Sequence, residues 1–146
     1  MKFFLAVLCL PIIILGLGCS SELPKNQQID YESDLKPLIE ENTGHKVRGS
    51  CDMIASASHC EDYVGSLWTE EQMRLNCNGT GNFSLNGCAY SDNGGCLTGR
   101  DTVAENIVWS YPTGGQPMIG EELKFEIMAC DALAGAEWVS PESLLE

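Results

Sequence analysis

The sequence predicts a small, disulfide-rich α+β domain with two pseudo-repeated strand-helix-strand units. Three observations lead to this fold class: six cysteines within residues 51–130, two helix-start signals that each precede a cysteine, and Asn-Gly pairs between short apolar runs. Aromatic residues make up only 8% of the chain and glycines number 15, which is typical of a loop-rich domain with a modest core. Disulfides commonly stabilise domains of this kind.

Residues 1–18 have the composition of a lipoprotein signal peptide. Lys2 precedes the apolar run Phe3–Gly18, whose 16 residues are fewer than a bilayer-spanning helix needs. A positive start, a short apolar run and small residues before the cleavage point are typical of a cleaved export signal. Cys19 follows at the position that bacterial lipoproteins acylate, although Leu15 lies one residue too early for the usual motif. The alternative interpretation is an ordinary secretion signal, in which Cys19 is not acylated.

Acylation of Cys19 would determine where in the cell the protein is located. Bacterial lipoproteins carry two or three acyl chains on this residue, and more than one chain holds a protein stably on its membrane. Ser20 and Ser21 do not form the aspartate-type signal for retention in the inner membrane. We therefore expect a lipid anchor in the bacterial outer membrane, on its surface or periplasmic face.

Charge limits the partners that we expect. The 128 residues after the signal suffice for one domain. Without Lys2 they hold seven basic and 21 acidic residues, a net charge of −14. Such a surface repels nucleic acid and could attract a basic protein. We expect no nucleic-acid partner.

Cysteine counting gives the second strong signal. Cys9 leaves with the signal and Cys19 is assigned to the lipid, so an even number of cysteines remains. An exported domain of this size typically pairs its cysteines, here in any of 15 combinations. The expected disulfide cysteines are Cys51, Cys60, Cys77, Cys88, Cys96 and Cys130.

These signals divide the chain into four segments. We expect a signal peptide at 1–18, a tether at 19–45 that is partly disordered or a short helix interrupted near Pro37, a stapled α+β domain at 46–139, and a C-terminal tail at 140–146. The tether assignment depends on the polar residues 20–28, which show no periodicity.

Local signals place the elements of the domain. Thr69 with Gln72 has capping-box spacing, which predicts a helix reaching Cys77. A second helix begins at Gly120 and places Leu123, Ile127 and Cys130 on one face. Residues 102–111 predict a strand. The turn signals of the hairpin kind are Asn78-Gly79, Asn86-Gly87 and Asn93-Gly94.

The order of these elements repeats. Each unit begins with a strand that contains a cysteine, followed by a turn. A helix with acidic residues at its start and a cysteine at its end comes next, and a glycine and a strand with an aromatic residue complete the unit. The first unit ends near Phe83 and the second near Trp138, and the second lacks counterparts to Cys60 and Cys88. A chance alignment of glycines and cysteines is the alternative.

The whole pattern resembles the small cysteine-rich lipoproteins of spirochaetes of the leptospiral type. These proteins repeat a Cys … Cys-x-x-Tyr-x-Gly … helix-Cys … Gly-aromatic … Cys arrangement. The matching positions are Cys51, Cys60 to Gly65, Cys77, Gly81, Phe83 and Cys88. The resemblance covers roughly residues 48–138 and implies export and an α+β fold. Some leptospiral surface lipoproteins bind host matrix or plasma proteins.

The sequence gives only weak indications of a catalytic or metal-binding site. No nucleophile, zinc-protease or phosphate-loop motif is present, so we expect no enzyme, catalytic residue, metal or cofactor. A zinc site at Cys51, His59 and Cys60 has the wrong spacing. Pairs of acidic residues at 61–62, 70–71 and 121–122 could be the two catalytic carboxylates of a glycosidase. We instead interpret adjacent acids as residues that favour the starts of helices. The aromatic residues that suggest either a recognition patch or core are Trp68, Tyr90, Trp109, Tyr111 and Trp138.

The sequence thus favours a membrane-anchored exported binding or structural module. The family resemblance points to an adhesin-like surface protein for host proteins. The alternative is an inhibitor of a basic exported enzyme such as a lysozyme, which the acidity of the chain would favour.

Overall fold

A six-stranded antiparallel sheet organises residues 30–145, the part of the chain that the computed structural model describes. Its strand order is β3-β1-β2-β5-β4-β6. The strands are β1 (Gly49–Asp52), β2 (His59–Tyr63), β3 (Asn82–Ser84), β4 (Gly95–Thr98), β5 (Asn106–Ser110) and β6 (Ala136–Val139). Together with the helices, this sheet confirms the predicted α+β class.

The helical elements are short. They are a π-helical turn (Tyr31–Leu35), α1 (Lys36–Thr43), α2 (Ile54–Ala57), α3 (Glu70–Cys77), α4 (Glu121–Asp131) and a C-terminal 3₁₀ turn (Glu142–Leu145). The two helices that the sequence predicts, α3 and α4, are confirmed. Thr69 caps α3, and the reciprocal hydrogen bonds of the capping box with Gln72 are both present.

The two halves of the sheet follow the same path. In each half a hairpin is followed by a helix and then by an edge strand that pairs with the first strand of the hairpin. Cys51 in β1 bonds to Cys77 at the end of α3, and Cys96 in β4 bonds to Cys130 near the end of α4. The two bridges therefore occupy equivalent positions.

Strand register extends this equivalence to single residues. Cys51 lies between Glu61 and Phe83 on its neighbouring strands, and Cys96 lies between Val108 and Trp138. Glu61 and Val108 are themselves opposite each other where β2 pairs with β5. A pseudo-two-fold axis through this pair relates the halves, as a two-fold axis relates the subunits of a symmetric dimer.

The repeating unit is strand-strand-helix-strand, one strand longer than the sequence suggests. The third disulfide, Cys60–Cys88, belongs to the first half alone. Its cysteines are the two that have no counterpart in the second half. The register makes Ser110, and not Tyr111, the counterpart of Tyr63 in the second half.

Helices α3 and α4 lie on the same face of the sheet. Residues directly opposite each other on neighbouring strands point to the same face. Because the pairings from Cys51 to Cys96 run through Glu61 and Val108, the bridges to α3 and α4 leave the sheet on the same side.

The opposite face carries the larger core. The buried side chains that it contributes are Cys60, Leu97, Ile107, Trp109 and Val139. Ile39 of α1 and Leu144 of the 3₁₀ turn complete this cluster, each only 4% exposed. Residues from both ends of the described segment thus cover the face that α3 and α4 leave open.

The core includes residues on both sides of the predicted domain of residues 46–139. Tyr31, Leu35 and Ile39 precede that range and Leu144 follows it, and all four pack in the larger core cluster. Pro37 does not interrupt the first helix: it lies in the first turn of α1, where a missing N–H costs no hydrogen bond. Residues 1–29, which include the predicted signal peptide, Cys19 and most of the predicted tether, lie outside the described residues.

Two finer predictions about loops are wrong. The strand predicted at 102–111 is β5, which starts only at Asn106 because residues 99–105 form a loop. The Asn-Gly pairs do not join the strands of hairpins. The hairpin connections are residues 53–58, which contain α2, and the loop 99–105. Gly79 and Gly94 do adopt positive φ, +80° and +87°, as turn glycines.

The buried position of Leu144 makes the C-terminal turn testable. Leu144→Ala should lower the free energy of unfolding by about 2–5 kcal/mol, the usual cost of such a core truncation. Leu145→Ala is the matched control, because Leu145 is 37% exposed and its loss should cost about 0.5 kcal/mol or less. Urea denaturation followed by circular dichroism gives both values. Equal effects of the two variants would show that the turn is not part of the core.

Candidate functional site

The outer face of α4 is the candidate functional site. α4 begins after Gly120, whose φ is +58°, and carries Glu121 and Glu122 in its first turn. Carboxylates there interact favourably with the helix dipole. The inner face holds Leu123, Ile127 and Cys130, as the sequence predicts, and only Cys130 is fully buried. This attachment fixes the direction of the outer face.

The outer face is apolar as well. Phe125, Met128, Ala129 and Ala132 follow one another at helical spacing and form what we call the α4 stripe. Phe125 is 74% exposed and Met128 is 61% exposed. Neighbouring apolar side chains that are exposed together on the surface of a domain often mark a contact with another molecule. The exposed α4 stripe is therefore typical of a surface that contacts another molecule.

An ion pair fixes α4 to the centre of the sheet. His59 Nε2 of β2 bonds to Glu126 Oε1 on the inner side of α4. This hydrogen bond raises the pKa of His59 above its ordinary value. Burial raises the pKa of Glu126, but the interactions of its carboxylate with His59 and Ser110 together outweigh burial, so the pKa of Glu126 is lowered. The pair is therefore most stable with both groups charged.

A buried carboxylate lies beneath the opposite face of the sheet. Asp62 accepts hydrogen bonds from the Cys88 N–H and the Trp109 indole N–H, each at 2.8 Å. Burial nevertheless raises the pKa of Asp62 to about 6. Asp62 joins the third disulfide loop to β5, so its role is structural and its charge state affects stability.

His45 and Glu105 form a second buried pair. His45 Nδ1 bonds to Glu105 Oε1, while Glu105 Oε2 accepts the Asp101 N–H at 2.8 Å. The Glu105 carbonyl accepts three further bonds, from the Val64 and Gly65 amides and the Trp68 indole. Buried polar groups that are this well hydrogen-bonded hold loops in place. We interpret the pair as the link between residues 44–48 and the loop 99–105.

The predicted site residues have clear outcomes where the structure describes them. The six cysteines form three disulfides, which confirms that prediction and selects one of the 15 pairings: Cys51–Cys77, Cys60–Cys88 and Cys96–Cys130. Cys19, the predicted lipidation site, lies outside the described residues. The zinc alternative fails, because Cys51 and Cys60 belong to different disulfides and His59 bonds to Glu126.

The aromatic residues do not form one recognition patch. Trp109 and Tyr111 are buried in the core, Trp68 and Trp138 are half-buried in different halves, and Tyr90 is exposed. The acid pairs do not line one cleft either. Glu61 and Asp62, as neighbours in a strand, point to opposite faces of the sheet.

Sequence reasoning missed the α4 stripe. The apolar positions 123, 127 and 130 predict one buried face and leave the opposite face of the helix unassigned. A signal was present, because Phe125, Met128, Ala129 and Ala132 have the spacing i, i+3, i+4 and i+7. Glu105 gave no comparable signal, since its partner His45 is 60 residues away.

Neither a metal-binding cluster nor a membrane-spanning helix is present among the described residues. Within residues 30–145, no group of three or more histidine, cysteine or acidic side chains is arranged to hold a metal ion. In the same range, no helix has both the length and the apolar character to span a bilayer.

Comparisons with protein families, with curated proteins and with solved structures found no match to this chain.

The pKa shifts of Asp62 and His59 predict that stability falls as pH rises. The raised pKa of Asp62 favours the folded state below about pH 4, and this contribution is lost as pH rises through 6. The raised pKa of His59 acts in the same direction from pH 6.5 upward. For Asp62 alone the change is on the order of 3 kcal/mol. Thermal unfolding should therefore show a higher melting temperature at pH 5 than at pH 8.

Asp62→Asn separates this effect from other titrations. The amide cannot accept both hydrogen bonds of the carboxylate, so the variant should be less stable overall. Its stability should nevertheless depend less on pH between 4 and 7, because the buried titrating group is gone. A variant with the same pH slope as the wild type would show that Asp62 does not titrate in this range.

Proposed function

We propose that the chain is an exported lipoprotein, acylated at Cys19 and held in a bacterial outer membrane, whose stapled domain binds a protein partner. The exposed α4 stripe carries this proposal. Burying one large apolar side chain contributes about 1.5–3 kcal/mol, so Phe125 and Met128 together could dominate a binding interface. Aromatic residues and methionine are enriched in such interfaces.

The pairing pattern supports the anchor. All six cysteines from 51 to 130 are in disulfides, which suits an oxidising compartment outside the cytoplasm. After removal of the signal peptide with Cys9, Cys19 is the cysteine left for a lipid. The segment from Cys19 to Asp30 has a fully extended length of at most about 40 Å. Such a tether would present the domain close to the membrane surface.

Among protein partners, host proteins are our leading candidate. The resemblance to leptospiral-type lipoproteins suggests an adhesin-like role. The α4 stripe lies on the side of α4 that faces away from the sheet, so a partner can reach it. The second candidate is a basic exported enzyme such as a lysozyme, which the domain would inhibit. Glu121 and Glu122 at the start of the stripe and the net charge of −14 would complement a basic surface.

Truncation of the stripe tests the proposal. Phe125→Ala with Met128→Ala should weaken binding to the partner by tenfold or more, because the loss of two central apolar contacts costs at least about 1.4 kcal/mol. Binding of the mature protein to a panel of matrix and plasma proteins can be measured by surface plasmon resonance. A lysozyme titration measures inhibition in the same samples and separates the two candidates.

Leu67→Ala with Leu75→Ala is the matched control. It removes two similarly exposed apolar side chains, 50% and 67% exposed, from the first half of the domain. This variant should bind like the wild type, and both variants should keep wild-type stability because all four residues are exposed. Binding no stronger than that of an unrelated protein of equal charge would refute the adhesin-like role.

A further inference from the structure

The first half of the domain contains a trough that the binding surface on α4 does not include. The trough has a volume of about 570 Å³ and lies between residues 44–48, the start of α3 and the end of β3. A smaller cavity of about 400 Å³ adjoins it and shares Gly44, Arg48, Val64 and Ser66. These volumes lie in the range of small-molecule sites.

The trough holds two cations without an acidic partner. Of the six lysines and arginines within residues 30–145, four form ion pairs with carboxylates: Lys36, Arg74, Arg100 and Lys124. Lys46 and Arg48 form none with any described carboxylate, although acidic residues outnumber basic ones by 21 to eight in the chain. Both line the trough. Two unpaired cations side by side in so acidic a protein attract an anion.

Two of the nearby carboxylates, Glu70 and Glu105, already have partners. Glu70 lines the trough but pairs with Arg74 at 2.8 Å. Glu105, in the adjoining cavity, bonds to His45 and to the Asp101 N–H. Asp101 also lines that cavity and is exposed. Arg48 is held in place by a hydrogen bond from its Nε to the Val64 carbonyl at 3.2 Å, which leaves its terminal nitrogens for a ligand.

The rest of the lining is largely apolar. Val47, Trp68, Met73 and Leu85 face the trough. The indole N–H of Trp68 donates to the Glu105 carbonyl, so its ring offers the trough only apolar surface. A ligand with an anionic head and an apolar body would match both parts of the lining.

We propose that this trough binds a small organic carboxylate with an apolar body. The carboxylate contacts Lys46 and Arg48 through charge-assisted hydrogen bonds, and the apolar body lies along Val47, Trp68 and Leu85. The equivalent positions in the second half, five and three residues before Cys96, are Ser91 and Asn93, which carry no charge. The site is thus a property of the first half alone.

Decanoate below its micelle concentration is the probe. In ¹H–¹⁵N spectra of the folded protein it should shift the amides of Lys46 and Arg48 and the indole signal of Trp68. Decanol has the same apolar body without the charge and should bind at least roughly tenfold more weakly, because a bond to a charged group is lost. Inorganic phosphate, which supplies charge alone, should also bind more weakly than decanoate.

The variants isolate the two cations. Lys46→Gln with Arg48→Gln should bring the affinity for decanoate down to that for decanol. Lys46→Gln alone, which breaks no ion pair with a described carboxylate, should lower this affinity in part and serves where the double variant is unstable. Arg100→Gln with Lys124→Gln removes the same charge elsewhere and should leave binding unchanged.

Three outcomes would overturn the proposal. They are no shift at the trough with decanoate, equal affinity for decanoate and decanol, or equal affinity for decanoate and phosphate. Equal losses in the trough variant and the charge-matched control would likewise show that net charge, not the site, governs binding.

Discussion

The pairing of β2 with β5 is the constraint on which the rest of the structure depends. These strands are the innermost elements of their halves, and five residue pairs join them. Each half alone would be a three-stranded sheet with one helix and an exposed inner edge. Pairing removes both inner edges and places the two halves about one pseudo-two-fold axis. It also aligns the faces, so that α3 and α4 share one side and the larger core forms on the other.

Side chains fix this register across the axis. Asp62 of β2 accepts the indole N–H of Trp109 in β5 and the backbone N–H of Cys88 in the third disulfide loop. Glu61 accepts from Asn106 of β5 at 2.6 Å on the helical face. A shift of one residue would move each of these groups to the wrong face. The buried carboxylate thus specifies the pairing at the cost of a raised pKa.

The halves share a path but differ on their surfaces. The first half has the additional bridge Cys60–Cys88 and the trough with Lys46 and Arg48, while the second has a longer helix with an exposed apolar stripe. Two proposed sites with different chemistry are therefore carried on one repeated scaffold. Fold and function separate here, as they do in many small domains.

The sequence predicted the features that depend on neighbouring residues. The capping box at Thr69, the helix from Gly120 and the even cysteine count each follow from short spacings. Which cysteines pair depends on strand register, which brings together residues 26 to 34 positions apart. The packing of Ile39 and Leu144 depends on which face the helices leave open. The charge partners of Lys46 and Arg48 depend on where distant carboxylates lie, so their isolation cannot be derived from composition.

Three disulfides stabilise the two halves of the domain, which are joined by the pairing of β2 with β5. Two of these bridges are equivalent, and the third belongs to the first half alone. Peptide mapping of the purified protein under non-reducing conditions tests this disulfide pattern most directly. We expect three linked peptide pairs, Cys51 with Cys77, Cys60 with Cys88 and Cys96 with Cys130. A bridge that links the halves, such as Cys51 with Cys96, or a free thiol among these six would contradict the account.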